Sequence, residues 1–148
     1  MKRVLVGGPT FEGYAYCLKE YAQRATSLTY PSYDVVLADN SATGTYATAI
    51  KKEGLDVVRG PHLPDVYERI IKSRNMLRQK VLDEGYEYFL SLEQDVIPPI
   101  DIIERLMRHG KNVVSGVYYK LYDVTVKTKK GEIVKKKTLL QEKNSLQN

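Results

Sequence analysis

The chain has one cysteine, two histidines and no long apolar run, and each shortage removes a class of protein. A single thiol, Cys17, cannot form an intrachain disulfide or a cysteine-rich zinc site, and it suits a reducing compartment. No segment approaches the roughly 18 to 20 uncharged apolar residues of a spanning helix. The start, Met1-Lys2-Arg3-Val4-Leu5-Val6, runs at once into Gly-Gly-Pro and reads as a strand, not as a signal peptide. The standard phosphate loops are missing too. Gly8 and Gly13 have P-loop spacing, but Tyr14-Ala15 stand where Lys and Ser/Thr are required, and no Gly-x-Gly-x-x-Gly follows the first strand. No internal repeat or linker-like stretch precedes residue 120.

What the chain does contain is enough for one domain: 148 residues, 43% of them hydrophobic. The formal net charge is +5, but it is unevenly spread. Residues 121–148 hold 7 lysines against 3 acids, which leaves residues 1–120 at net +1. We therefore expect two parts: an α/β domain over 1–120, and a basic β-hairpin with a frayed polar tail over 121–148, packed on the same domain. Short apolar runs alternate with segments of 3.6-residue period, the pattern of βαβ units around a mostly parallel sheet flanked by helices. Strands are expected at 3–6, 33–38, 55–58, 86–92 and 113–119. Tyr14, Cys17, Leu18, Tyr21, Ala22 and Ala25 mark a first helix, residues 65–84 a long one, and a further helix follows Asp101 and ends at His109-Gly110. The run 86–92 is nearly continuously apolar, as a strand buried on both faces should be. Tyr122, Val124 and Val126 alternate before a turn at Lys129-Lys130-Gly131, which gives the hairpin.

Ligands of open α/β sheets lie beyond the carboxyl ends of the strands. The residues there are Pro9-Thr10, Asp39-Asn40-Ser41 and Glu93-Gln94-Asp95. In an extended segment Glu93 and Asp95 point the same way, so their carboxylates could converge on one hard cation, Mn²⁺ or Mg²⁺, able to bridge diphosphate oxygens. Arg74, beside Asn75, falls inside the stripe made by Val66, Ile70, Leu77 and Val81, and an inward arginine needs an anion, either an internal carboxylate or a bound diphosphate, unless a terminal position lets it snorkel out to solvent. Cys17 reads as an inert core thiol. His62 and His109 read as a loop residue and a helix-terminal one.

Asp39-Asn40-Ser41, Arg74-Asn75, Leu92-Glu93-Gln94-Asp95-Val96 with its following prolines, and Val114-Ser115-Gly116-Val117-Tyr118 together resemble the GT-A glycosyltransferases, especially compact family 2-like members. The resemblance covers roughly residues 2 to 120. It implies a Rossmann-like GT-A fold and a metal-dependent transfer of a hexose from a UDP- or GDP-linked donor to an acceptor hydroxyl. It also implies that Pro9 and Thr10 line the nucleotide pocket, that Asp39 contacts base or ribose with Asn40 and Ser41 beside it, and that Arg74 and Asn75 lie near the nucleotide. Glu93-Gln94-Asp95 would be the Asp-x-Asp motif, Asp95 the direct metal ligand and Glu93 acting through ribose or water. Glu93 stands where the family usually has aspartate. Many inverting relatives carry a downstream acidic residue as catalytic base, and Asp123 is the one candidate for it here. Two other classes stay open at this stage: a non-catalytic nucleotide-binding module, and a sugar-phosphate nucleotidyltransferase, disfavoured because no Lys or Arg lies between Gly7 and Lys19. The Lys-rich hairpin suits edge protection or contact with an anionic membrane surface, and its lack of arginine argues against nucleic acid. A cytoplasmic, membrane-peripheral location and a homo-oligomer complete the expectations.

Overall fold

The computed structural model describes residues 1–116 in full and the backbone of 119–127 and 133–141. Two compact units divide at Arg108 and His109. In the first, β1 (Val4–Gly7) continues past Gly8 into the two-residue β2 (Pro9–Thr10). Both run along one edge of β3 (Tyr33–Asp39) in a single register, from Val4 opposite Tyr33 to Thr10 opposite Asp39. The other edge of β3 carries β4 (Asp56–Arg59), and the other edge of β1 carries β5 (Tyr88–Ser91). Every pairing in this sheet is parallel. Its lateral order, β4, β3, β1–β2, β5, means that the chain steps outward twice and then crosses back, so winding reverses between β1 and β5. That reversal opens a crevice at the carboxyl ends, the usual ligand position of doubly wound folds.

Alternation along the strands builds two cores. Val4, Val6 and Leu37 meet α1 (Leu18–Ala25) and α2 (Thr45–Lys52) on one face, through Leu18, Tyr21, Ala22, Tyr46 and Ile50. Leu5, Val36 and Ala38 meet Leu77 of α3 (Val66–Asp83) on the other, with Tyr86 closing the cluster. Each fully buried Leu or Ile contributes about 1.5–3 kcal/mol of transfer free energy. The strands approach closely at Gly7, where a Cβ would stand 1.9 Å from the Val36 carbonyl oxygen.

Local signals set the ends of α3. The Asp65 carboxylate accepts the Glu68 amide at 2.8 Å, an N-cap directly after Pro64. At the other end Gly85 has φ +70°, and the Tyr86 amide reaches back to the Val81 carbonyl at 3.0 Å, which satisfies a terminal acceptor as a Schellman turn does. A short α4 (Ile102–Met107) adds Ile103 to the first core.

Four expectations need correction. The first helix is a 3₁₀ turn, Glu12–Cys17, leading into α1, so the stripe from Tyr14 is not one continuous α-helix. The helix α2 was not expected, although Tyr46, Ala47 and Ile50 bury one of its faces. The strand at 86–92 is shorter and is not buried on both faces: Phe89 and Ser91 are exposed, and among the described residues β5 pairs with β1 alone. The strand expected at 113–119 is not formed over residues 113–116. Residues 113–116 have no regular structure and Val113 is 87% exposed, because β-branched residues form a strand only where a neighbouring strand accepts their hydrogen bonds.

In the second unit β6 (Tyr119–Lys127) pairs antiparallel with β7 (Ile133–Gln141). The turn expected at Lys129-Lys130-Gly131 and the tail from 142 lie outside the described residues. Among the described residues no helix is long and apolar enough to cross a membrane.

Candidate functional site

The crevice between β1–β2 and the segment after β5 is a cleft of about 360 Å³. Pro9, Thr10 and Asn40 line it from the strand ends, and Phe11 and Tyr14 from the 3₁₀ segment. The rings of Phe11 and Tyr14 meet edge to face, with centroids 5.2 Å apart. The opposite wall is the first half of α3. Val66, 53% exposed, and the half-buried Ile70 face the opening, so the apolar stripe of this helix serves the core only from Leu77 onward. Arg69, Arg74 and Glu93 supply the charge.

Arg74 does not point into the core. The buried line of α3 runs through Ser73 and Leu77, and Arg74 lies at its margin, 51% exposed, where its Nη2 donates to Glu93 Oε1. Two residues singled out independently thus meet each other across the cleft. Burial pushes the Glu93 carboxyl above its ordinary range, Arg74 opposes that rise and Asp95 adds to it.

Glu93 and Asp95 do not lie on an extended segment. The Val96 amide donates to the Glu93 carbonyl at 3.1 Å and closes a turn over Glu93–Val96, so the period-two argument for convergence fails here. Glu93 lines the cleft, while Asp95 is exposed on the turn. Glu93 still feels the Asp95 charge, and Tyr14 feels both: its hydroxyl is pushed up by burial, then by Asp95 and Glu93. A carboxylate held high by burial and by a like neighbour is one that a hard cation would stabilise, and two carboxylates are oxygen donors of the type that Mn²⁺ or Mg²⁺ takes. Among the described residues no group of three or more His, Cys, Asp or Glu side chains is placed to hold a metal ion, so the two carboxylates are the right chemical type but only part of a donor set.

Gln94, between the two acids, faces the interior at 1% exposure. Its Oε1 accepts from Thr10 Oγ1, and its Nε2 donates to the Tyr14 carbonyl at 2.9 Å and to Tyr46 Oη at 2.7 Å. One amide therefore ties β2, the 3₁₀ segment and α2 to the turn that carries Glu93. Cys17 is buried beside it, and burial pushes its thiol up, as an inert core thiol requires.

Asp39, Asn40 and Ser41 are all buried. Asp39 Oδ1 accepts from the Ser41 amide at 2.9 Å and from Ser41 Oγ at 2.5 Å, and Oδ2 is paired with Arg59. Both oxygens are committed inside the fold. Of the three residues it is Asn40 that lines the cleft, its Nδ2 donating to Ser73 Oγ at 3.3 Å. Asn75 is exposed on α3 next to Arg74. Asp123 lies on β6, opposite Lys137, in the second unit.

Phe11, Tyr14 and Arg69 were not singled out for the site by sequence reasoning. Tyr14 looked like a core residue of the first helix. Arg69 carried one usable signal: it precedes Ile70, whose apolar stripe also brackets Arg74. In comparisons with known proteins, no family model and no curated protein matches the chain.

Proposed function

We propose that the cleft binds the nucleoside diphosphate part of a sugar donor, and that the chain is a metal-dependent glycosyltransferase acting on an acceptor hydroxyl. The observation that carries this reading is the meeting of an apolar and aromatic wall with Arg74 and Glu93 at the winding reversal between β1 and β5. A flat base suits Phe11, Tyr14, Val66 and Ile70, and a diphosphate suits the arginines. Glu93 and Asp95 would hold Mn²⁺ or Mg²⁺, whose charge would stabilise the departing diphosphate. With a cation on Glu93, the Arg74 guanidinium would be available to phosphate oxygens. In the transfer, the acceptor oxygen attacks the anomeric carbon and the bond from that carbon to the diphosphate oxygen breaks. The electron pair leaves with the nucleoside diphosphate, and the hydroxyl proton passes to a base or to solvent.

The test is a thermal-shift series with UDP, GDP and their sugar conjugates, each with and without Mn²⁺. A nucleotide at about 100 times its Kd should stabilise the fold by ~2.7 kcal/mol. A stabilisation equal with and without Mn²⁺, or none from any nucleotide, would remove the reading. A module that binds without turnover differs in one respect: it does not hydrolyse the donor slowly in the presence of Mn²⁺.

A further inference from the structure

The two arginines of the cleft are not equivalent. Arg74 is neutralised by Glu93, whereas no ion pair of the described residues includes Arg69. The Nε of Arg69 is buried without a hydrogen-bond partner. Its Nη1 has one polar neighbour, His62 Nδ1, at 3.4 Å. That nitrogen also stands 3.2 Å from the Asn40 carbonyl oxygen. With the proton on Nδ1 this nitrogen donates to the Asn40 carbonyl and has no lone pair for Arg69; with the proton on Nε2 it accepts from Arg69 Nη1, a neutral partner at long range. In either tautomer Arg69 is a half-buried guanidinium lining the cleft, with no carboxylate partner and an unmet Nε among the described residues. Desolvating a cation without an acceptor is costly, and a bound anion offsets that cost.

The charges of the cleft locate the anion. Arg74 and Glu93 cancel, which leaves the net positive charge of the lining on Arg69 alone. The flat, forked guanidinium suits the oxygens of a phosphate better than it suits a single halide or carbonyl.

We propose that Arg69 is the resting anion anchor of the cleft: it takes a phosphate group before any metal is bound, while Arg74 remains on Glu93. The choice of a diphosphate as the natural bearer of that phosphate rests on the function proposed above. The anchor itself rests on the unpaired guanidinium. Two contributions to donor affinity follow, a metal-independent one from Arg69 and a metal-dependent one from Glu93 and Asp95.

The experiment is calorimetric titration of the full chain with inorganic pyrophosphate and with UDP and GDP, in EDTA and in Mn²⁺. In EDTA, Arg69→Gln should bind pyrophosphate and both nucleotides at least about tenfold more weakly, the scale of one charge-assisted contact. Arg69→Lys should recover part of the loss, because it keeps the charge without the fork. Asp95→Asn should lose the gain from Mn²⁺. The melting temperature of ligand-free Arg69→Gln should equal or exceed that of the unsubstituted chain, since an unpaired cation has been removed. Unchanged pyrophosphate affinity of Arg69→Gln in EDTA, or no pyrophosphate binding by the unsubstituted chain, would overturn the anchor. Pyrophosphate binding that depends on Arg69, combined with UDP and GDP that bind no better and gain nothing from Mn²⁺, would uphold the anchor and remove the sugar-donor reading.

Discussion

Glu93 concentrates the chemistry of the cleft at the scale of single residues, because its carboxyl is held up by burial and by Asp95 while Arg74 holds it down. The folded chain therefore binds more protons at this site than the unfolded chain, from the ordinary glutamate range up to the raised value. Stability contributed by Glu93 falls as pH rises through that window and stays reduced above it. Glu93→Gln should accordingly melt higher than the unsubstituted chain at neutral pH, and the difference should vanish below the ordinary glutamate range, as followed by thermal melts from pH 3 to 8. The same protonation competes with a cation, so Mn²⁺ affinity should rise with pH across the window. The Arg74–Glu93 pair is 51% and 38% exposed, and pairs of that exposure are worth about 0–1 kcal/mol. Arg74→Met should therefore change the unfolding free energy of the ligand-free chain by less than about 1 kcal/mol in urea, yet weaken nucleotide binding in Mn²⁺. A loss of several kcal/mol with unchanged affinity would make the pair structural. Asp95→Asn removes one charge from an exposed turn, so it should leave the melt unchanged and abolish most of the Mn²⁺-dependent binding.

At the scale of elements, α3 divides its apolar stripe between two tasks. Leu77 and Val81 pack on the sheet, and Val66 and Ile70 wall the cleft. The strands that frame the cleft are held at short range by Gly7, where an added methyl would meet the Val36 carbonyl. Gly7→Ala should force β1 and β3 apart and cost about 1–3 kcal/mol, read as a lower urea midpoint at unchanged slope. Because β1 leads directly into Pro9 and Thr10, nucleotide affinity should fall with it; an Ala variant as stable as the unsubstituted chain would show that the register is set elsewhere. The buried amide of Gln94 belongs to the same frame, since it fixes three segments around the turn of Glu93.

The whole molecule divides at Arg108, and the cleft lies wholly in the first unit. A chain ending at Arg108 should melt cooperatively and keep the nucleotide affinity of the full chain; loss of either would show that the second unit is part of the site. Substituting Lys135, Lys136 and Lys137 with Gln should leave nucleotide binding intact and lower adsorption to anionic vesicles in a salt-dependent way. Unchanged adsorption would leave edge protection as the role of those lysines. The local patterns determined a good deal. The alternation of Val4 to Val6 and Val36 to Ala38, the Pro64-Asp65 start and Gly85 stop of α3, and the positions of Thr10, Asn40 and Glu93 after their strands were all legible, because periodicity, capping and strand ends are properties of neighbouring residues. Pairing was decided by the tertiary structure. Whether 113–116 forms a strand, whether β5 is covered on both faces, whether Asp39 is met by Arg59 and whether Arg74 is met by Glu93 depend on residues distant in the chain. Side-chain direction at Glu93-Gln94-Asp95 likewise followed from a turn closed by one backbone hydrogen bond, and the lack of a carboxylate partner at Arg69 from what packs beside α3. Composition and spacing carry no information about such contacts, since each is set by what packing brings within reach.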